Sequence, residues 1–226
     1  MGAIGVLAAL FGFAKTFIAP VAAGTFKAPS IIYVHGAFAF AWVLVFAAQP
    51  LLIRCRKHRE HRQLGMIGFI AAAGFTLTAF PVGAFATARD VAAGGGETAI
   101  SSIVGTYTAA LIFFGLVAAG AATRKTPETH KRFMLLASIA LLWPAWFRFR
   151  HYFPGVPRPD IFFAIILADS FIIIAAARDY LNMKRVHPVW LYFGTALILE
   201  QSLEVMMFDS PPWRAVAHVL YEIFGP

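Results

Sequence analysis

The stretch that decides the fold is residues 31–53, IIYVHGAFAFAWVLVFAAQPLLI, which is followed at once by the basic stretch 54–62, RCRKHREHR. The first stretch contains no Lys, Arg, Asp or Glu, and as a helix it is long enough to cross about 30 Å of hydrocarbon. The second stretch is too strongly charged to enter a bilayer and predicts a loop at the membrane surface. Together they are typical of a transmembrane helix that ends in a basic loop.

The same pattern of a long apolar run followed by a polar loop recurs along the whole chain. Open strands would leave backbone groups unpaired in lipid, and the alternating segments of a closed barrel are absent, so every span is predicted to be a helix. The sequence therefore predicts an all-α, polytopic membrane helix bundle of about seven transmembrane helices, with residues 1–226 forming a single integral membrane domain. The predicted spans are residues 2–23, 31–53, 61–87, 99–122, 127–148, 161–181 and 188–208.

The composition excludes a soluble globular protein. Of the 226 residues, 60% are hydrophobic and only 13% are charged, whereas soluble domains have about half and about a quarter. In a soluble protein the formal net charge of +8 would suggest nucleic acid as a partner. In a membrane protein this charge orients the helices instead. The expected partner is therefore the lipid bilayer, and nucleic acid is not expected as a partner.

The distribution of Lys and Arg predicts the orientation, because these residues favour cytoplasmic loops. Most of them lie in the second, fourth and sixth loops, which predicts an amino terminus inside and a carboxyl terminus outside. In the sixth loop, Asp179 next to Arg178 predicts an ion pair at the membrane surface. The basic residues of these three loops are Arg54, Arg56, Lys57, Arg59, Arg62, Arg124, Lys125, Lys131, Arg132, Arg178, Lys184 and Arg185.

Five histidines lie near the predicted helix ends. His61, His130 and His187 each begin a helix that starts at a basic loop, and His35 and His151 lie near the opposite face. Haem of the b type needs two imidazoles at one depth, so His61 with His130, and His35 with His151, are the candidate ligand pairs. The same spacing leaves two alternatives open. In the first alternative the histidines only cap helix ends at the interface, and in the second His61, His130 and His187 bind a non-haem metal.

Three acids fall inside the predicted spans, where a charged side chain is costly. Asp169 and Glu200 lie at similar distances from the external ends of their spans, and Glu204 is one turn beyond Glu200. One hypothesis is an outward-facing polar cluster of these acids with His35, which would bind protons, a cation or a metal. The alternative is that the acids pair with each other or with nearby polar groups and only fix helix contacts.

A set of short motifs resembles a family of uncharacterised bacterial multi-pass membrane proteins. The resemblance covers residues 12 to about 194 and implies a bacterial inner membrane as the location. More distantly, the paired histidines resemble those of diheme transmembrane cytochromes of the b type, which implies haem b and electron transfer. The motifs are Tyr33-Val34-His35-Gly36, Trp42, Gln49, His61-Arg62-Gln63-Leu64-Gly65, His130-Lys131-Arg132, Asp169, Asp179 and His187-Pro188.

Three functions are compatible with these features. The first is transmembrane electron transfer by a haem-binding protein. The second is a non-catalytic subunit, assembly factor or scaffold in a larger respiratory or photosynthetic membrane complex, with other membrane subunits as partners. The third is a proton- or cation-coupled carrier that uses Asp169, Glu200 and Glu204. The sequence has no phosphate loop, dinucleotide fingerprint or nucleophile elbow, so no enzyme class is predicted.

Overall fold

The computed structural model describes residues 1–225, and within them the chain forms helices and turns and no strand. Three helices contain a π-helical segment, at Ala14–Ile18, Phe162–Leu167 and Val189–Gly194. The helices are α1 Gly2–Ala22, α2 Ser30–Arg54, α3 His58–Ala92, α4 Gly96–Ala122, α5 Pro127–His151, α6 Pro159–Met183, α7 formed by Val189–Gly194 and Thr195–Met207, and α8 Pro211–Phe224.

Six helices, α1 to α6, are long and apolar enough to cross a membrane. They coincide with the first six predicted spans, so the all-helical, multi-pass architecture is confirmed. Helix α7 coincides with the seventh predicted span but is not one of the six. Its second half carries Glu200, Gln201 and Glu204, which make it more polar than the others.

Helices α2 and α3 pack antiparallel, as the short loop between them requires. Between α2 and α3, Val45 faces Gly68 and Phe38 faces Gly74. The later residue of α3 thus meets the earlier residue of α2, which shows that the two helices run in opposite directions. Small residues at these positions let the helices approach closely, which is how helices associate in lipid.

Helix α5 is the centre of the bundle and contacts α1, α2, α4, α6 and α7. Leu136 and Ala137 on α5 and Phe113 on α4 are almost completely buried in the main core. Trp42 on α2 is also buried there, and its indole Nε1–H donates to the hydroxyl of Ser138 on α5 at 3.2 Å. The core therefore depends on the helix whose two ends carry His130 and His151.

Helix α8 is anchored on the first turns of α4 by Asp209. This carboxylate accepts hydrogen bonds from Thr98 at 2.9 Å and Ser101 at 2.7 Å, and it pairs with Arg214 at 2.7 Å. The hydrogen bond from Arg214 holds the pKa of Asp209 well below its usual range. The contact fixes the end of α7 beside the start of α4.

Candidate functional site

Asp169 on α6 is the most isolated polar side chain in the bundle. It is only 5% exposed, and neither of its carboxylate oxygens has a hydrogen-bond partner within residues 1–225. It is the second residue after the π-helical segment Phe162–Leu167, and such segments are frequent at functional sites. Within residues 1–225, no donor stabilises the charge of this carboxylate.

Helix α7 contributes two further acids, Glu200 and Glu204, of which Glu200 is the one near Asp169. Glu200 is close enough for its charge to act on both Asp169 and Glu204. The Glu204 carboxylate occupies the space that a side chain at Gly105 on α4 would fill. Because Gly105 has no side chain, α7 and α4 can approach each other at this point. Gln201 is 8% exposed, and its Oε1 atom has no partner in the described residues. We call Asp169, Glu200 and Glu204 the acid site.

A cavity of about 480 Å³ opens between α6 and α7. On α6, Asp169 lies four residues beyond Ile165, which is about one helical turn deeper. The cavity lies toward the end of the bundle at which α6 begins, and none of the acid-site residues is in its lining. Its lining residues are Arg158, Ile161, Ile165, Ser202, Val205 and Met206.

His61 on α3 and His130 on α5 lie together at the opposite end of the bundle. Their ring centroids are 6.5 Å apart, and the ring planes are nearly perpendicular, at 84°. His130 Nδ1 is 2.8 Å from the carbonyl oxygen of Gly120, so this nitrogen donates a proton to that oxygen. In the neutral form of the ring, Nε2 is then the nitrogen with the lone pair. His61 Nδ1 is buried without a partner in the described residues. We call these two residues the histidine pair.

Gln49 on α2 lies at the same end of the bundle as the histidine pair. Its amide nitrogen donates to the carbonyl oxygen of His61 at 3.2 Å, while its Oε1 atom is buried without a partner in residues 1–225. The predicted equal depth of His61 and His130 thus corresponds to a real contact, and Gln49 adds a third polar side chain.

His35 and His151, the second predicted haem pair, contact different neighbours. The ring of His35 stacks on Phe75 at 4.4 Å, and its Nδ1 atom is 3.0 Å from the hydroxyl of Thr78. His151 is exposed, and its carbonyl oxygen accepts a hydrogen bond from Lys15 at 2.9 Å. Pairing of these histidines on one haem stays a prediction that no contact in the structure favours.

His187 lies at the start of α7, where its Nδ1 atom accepts a hydrogen bond from the backbone N–H of Val189 at 3.2 Å. Burial lowers the pKa of His187 below its ordinary value, and the charge of Arg132 acts in the same direction. Within residues 1–225 no three His, Cys, Asp or Glu side chains are grouped so that they could hold a metal ion. The metal site of His61, His130 and His187 therefore stays a prediction without a matching geometry.

The sequence did not predict the strongest charged contact, which joins Arg132 on α5 to Asp179 on α6. Two guanidinium nitrogens meet the two carboxylate oxygens at 2.5 and 2.8 Å, and Trp190 Nε1–H donates to the same carboxylate at 2.9 Å. The Arg132 side chain is only 4% exposed. The predicted ion pair between Asp179 and Arg178 is wrong, because the carboxylate turns into the bundle. The only available signal was that both residues lie near one end of their spans.

The acid site and the histidine pair thus lie at different levels of the bundle and have different chemistry. The acid site can exchange protons or bind a cation through carboxylate oxygens. The histidine pair can offer two imidazole nitrogens to one metal centre. The resemblance to a family of bacterial membrane proteins stays a prediction. The chain matches no family model, no curated protein and no solved structure.

Proposed function

We propose that this membrane protein is a proton- or cation-coupled carrier whose acid site binds the coupling ion. The observation that carries the proposal is Asp169, which is 5% exposed and has two unpartnered carboxylate oxygens. An ionised carboxylate without partners is very costly in an apolar interior. Asp169 is therefore stable only when it holds a proton or lies beside a cation, and releasing that ion is the elementary step of transport.

Glu200 and Glu204 extend this site toward α4. Because neighbouring like charges repel, the three acids do not all ionise together without a cation. In this proposal an ion that leaves Asp169 passes to Glu200, whose charge acts on Asp169, and then leaves toward the cavity between α6 and α7 at one end of the bundle. A carrier exposes its binding site to the two sides in turn, and the cavity supports access from one of them.

The proposal includes α7 as the seventh crossing. Its first turn contacts Asp179 through Trp190, and its far end reaches Gly105 through Glu204 and the start of α4 beyond it. It therefore extends along the other spans from one end to the other. Seven crossings, with the basic loops in the cytoplasm of a bacterial cell, leave the amino terminus inside and open the cavity to the outside.

Asp169→Asn is expected to reduce ion flux at least about tenfold, because the amide cannot take up a proton or balance a cation. The full-length protein is reconstituted in liposomes that contain a pH-sensitive dye. Proton flux is then measured under an imposed pH gradient, with Na⁺ or K⁺ present on one side.

The matched control is Asp90→Asn, which makes the same change at a half-exposed side chain paired with Arg89. This control is expected to retain the flux of the unsubstituted protein. A flux no greater than that of empty liposomes for all three cations would contradict the proposal. So would a flux unchanged by Asp169→Asn.

A second candidate function is electron transfer through one haem b, and the histidine pair is the observation that favours it. Two imidazoles that bind one metal ion would each have a nitrogen about 2 Å from it, so their ring centres would lie no more than about 6.5 Å apart. The observed 6.5 Å fits this separation. His61 and His130 would hold the iron, and the Gly120 carbonyl would orient His130 in the manner usual for metal-binding imidazoles. Bound haem would supply one-electron chemistry at this end of the bundle.

The haem candidate predicts a reduced-minus-oxidised spectrum with b-type bands from protein purified out of haem-replete cells. His130→Ala should remove most of this absorbance, because one of the two residues that would hold the iron is lost. His58→Ala changes an exposed histidine near the start of the same helix as His61 and should leave the spectrum intact. A featureless spectrum from folded protein would exclude the haem candidate while leaving the carrier proposal unaffected.

A further inference from the structure

At the end of the bundle where α5 stops, four basic side chains lie together. Lys15 comes from α1, and Arg148, Arg150 and His151 come from the last turn of α5. The three cations are close enough to His151 for their charges to act on it. None of the ion pairs within residues 1–225 includes any of these four residues. We call them the basic cluster.

The contacts of the basic cluster position its charged groups without neutralising them. Lys15 donates to the His151 carbonyl at 2.9 Å, Arg148 to the Pro144 carbonyl at 2.9 Å, and Arg150 to the Phe147 carbonyl at 3.2 Å. A guanidinium has several N–H donors, and most of those on Arg148 and Arg150 have no acceptor in the described chain. The carbonyl end of one helix carries only about half a negative charge, which is too little for three cations.

Aromatic rings hold the same groups in place. The guanidinium of Arg148 lies 4.3 Å from the ring centre of Phe13, and the Lys15 ammonium lies 4.2 Å from that of Tyr152. Tyr152 in turn donates to the Phe11 carbonyl at 2.8 Å, which ties α5 to α1. Lys15 also belongs to the π-helical segment Ala14–Ile18, a type of distortion that is common at functional sites. The cluster is thus pre-organised from two helices.

We propose that the basic cluster binds an anion bearing a phosphate group, and that this site is distinct from both the acid site and the histidine pair. Arginine is the residue best suited to phosphate, because its planar N–H groups match the phosphate oxygens. The cluster lies at the end of a membrane span, which is the level of lipid phosphates. The phosphate therefore has two possible sources, an anionic lipid headgroup or free phosphate.

The test is a binding titration of the full-length protein in zwitterionic detergent, followed by tryptophan fluorescence. The probes are dihexanoyl-phosphatidylglycerol, dihexanoyl-phosphatidylcholine and inorganic phosphate. Binding of phosphatidylglycerol alone would support a lipid headgroup, and binding of inorganic phosphate as well would support a site for free phosphate. Absence of binding by both anions would overturn the proposal, as would equal binding of the zwitterionic phosphatidylcholine.

The variant Arg148→Gln/Arg150→Gln should bind the anion at least about tenfold more weakly, because each charge-assisted hydrogen bond is worth about a factor of ten or more. The matched control, Arg124→Gln/Lys125→Gln, removes two exposed positive charges from another loop and should retain the affinity. Lys15→Gln is a second variant, with an expected several-fold loss, if the double variant does not fold. Unchanged affinity in the cluster variants, or an equal loss in the control, would overturn the proposal.

Discussion

Replacing Asp179 with asparagine is expected to lower the free energy of unfolding by about 3 kcal/mol or more, which is the usual effect of removing one partner of a buried ion pair. The Arg132 side chain is 4% exposed, and its Nε and Nη2 atoms both bond the Asp179 carboxylate. Asparagine would leave this guanidinium buried without a full counter-charge. It would also weaken the acceptor of the Trp190 indole N–H, so three helices would lose a shared contact.

The effect is measured by thermal or denaturant unfolding of the purified protein in detergent. Glu128→Gln is the control, because Glu128 also pairs with Arg132 at 2.7 Å but is 55% exposed. Exposed ion pairs contribute about 1 kcal/mol or less, so this control should change stability little. If Asp179→Asn and Glu128→Gln had the same small effect, the ion pair would not stabilise the bundle as described.

The Arg132–Asp179 pair also separates what the sequence could predict from what it could not. Hydropathy located six of the seven predicted spans, since each helix must cover the hydrocarbon thickness whatever its neighbours are. Which side chains meet depends on the rotation of each helix about its axis, and loop charges carry no information about that rotation. For this reason Asp179 was assigned to its sequence neighbour Arg178, although it turns toward Arg132 on another helix.

Some features of the candidate sites could likewise be predicted from the sequence, and others could not. The depth of His61 and His130 followed from the starts of their helices, and the structure brings their rings together. The role of Gly105 could not be predicted, because a glycine in a membrane helix gives no sign that a carboxylate of another helix will fill the space beside it. Membership of a larger respiratory or photosynthetic complex stays a prediction.

Gly12 lies in the contact between α1 and α5, and replacing it with valine is the second change expected to lower the stability of the protein strongly. A Cβ atom on Gly12 would lie 2.5 Å from the carbonyl oxygen and 2.8 Å from the Cα atom of Ala145. These are backbone atoms, so they cannot rotate away as a flexible side chain can. Gly12→Val is therefore expected to force α1 off α5 and to cost about 2–3 kcal/mol, at the upper end of the range for overpacked interiors.

Gly115→Val on α4 is the matched control, because a Cβ atom there meets nothing within 4 Å. Its change in unfolding free energy is expected to stay within about 0.5 kcal/mol, as for surface positions in general. The displacement of α1 would also separate Phe13 from Arg148 and Phe11 from Tyr152. Gly12→Val should therefore raise proteolysis of the α5–α6 loop as well as lower the unfolding midpoint. Equal stability of the two valine variants would mean that α1 does not pack against α5 through Gly12.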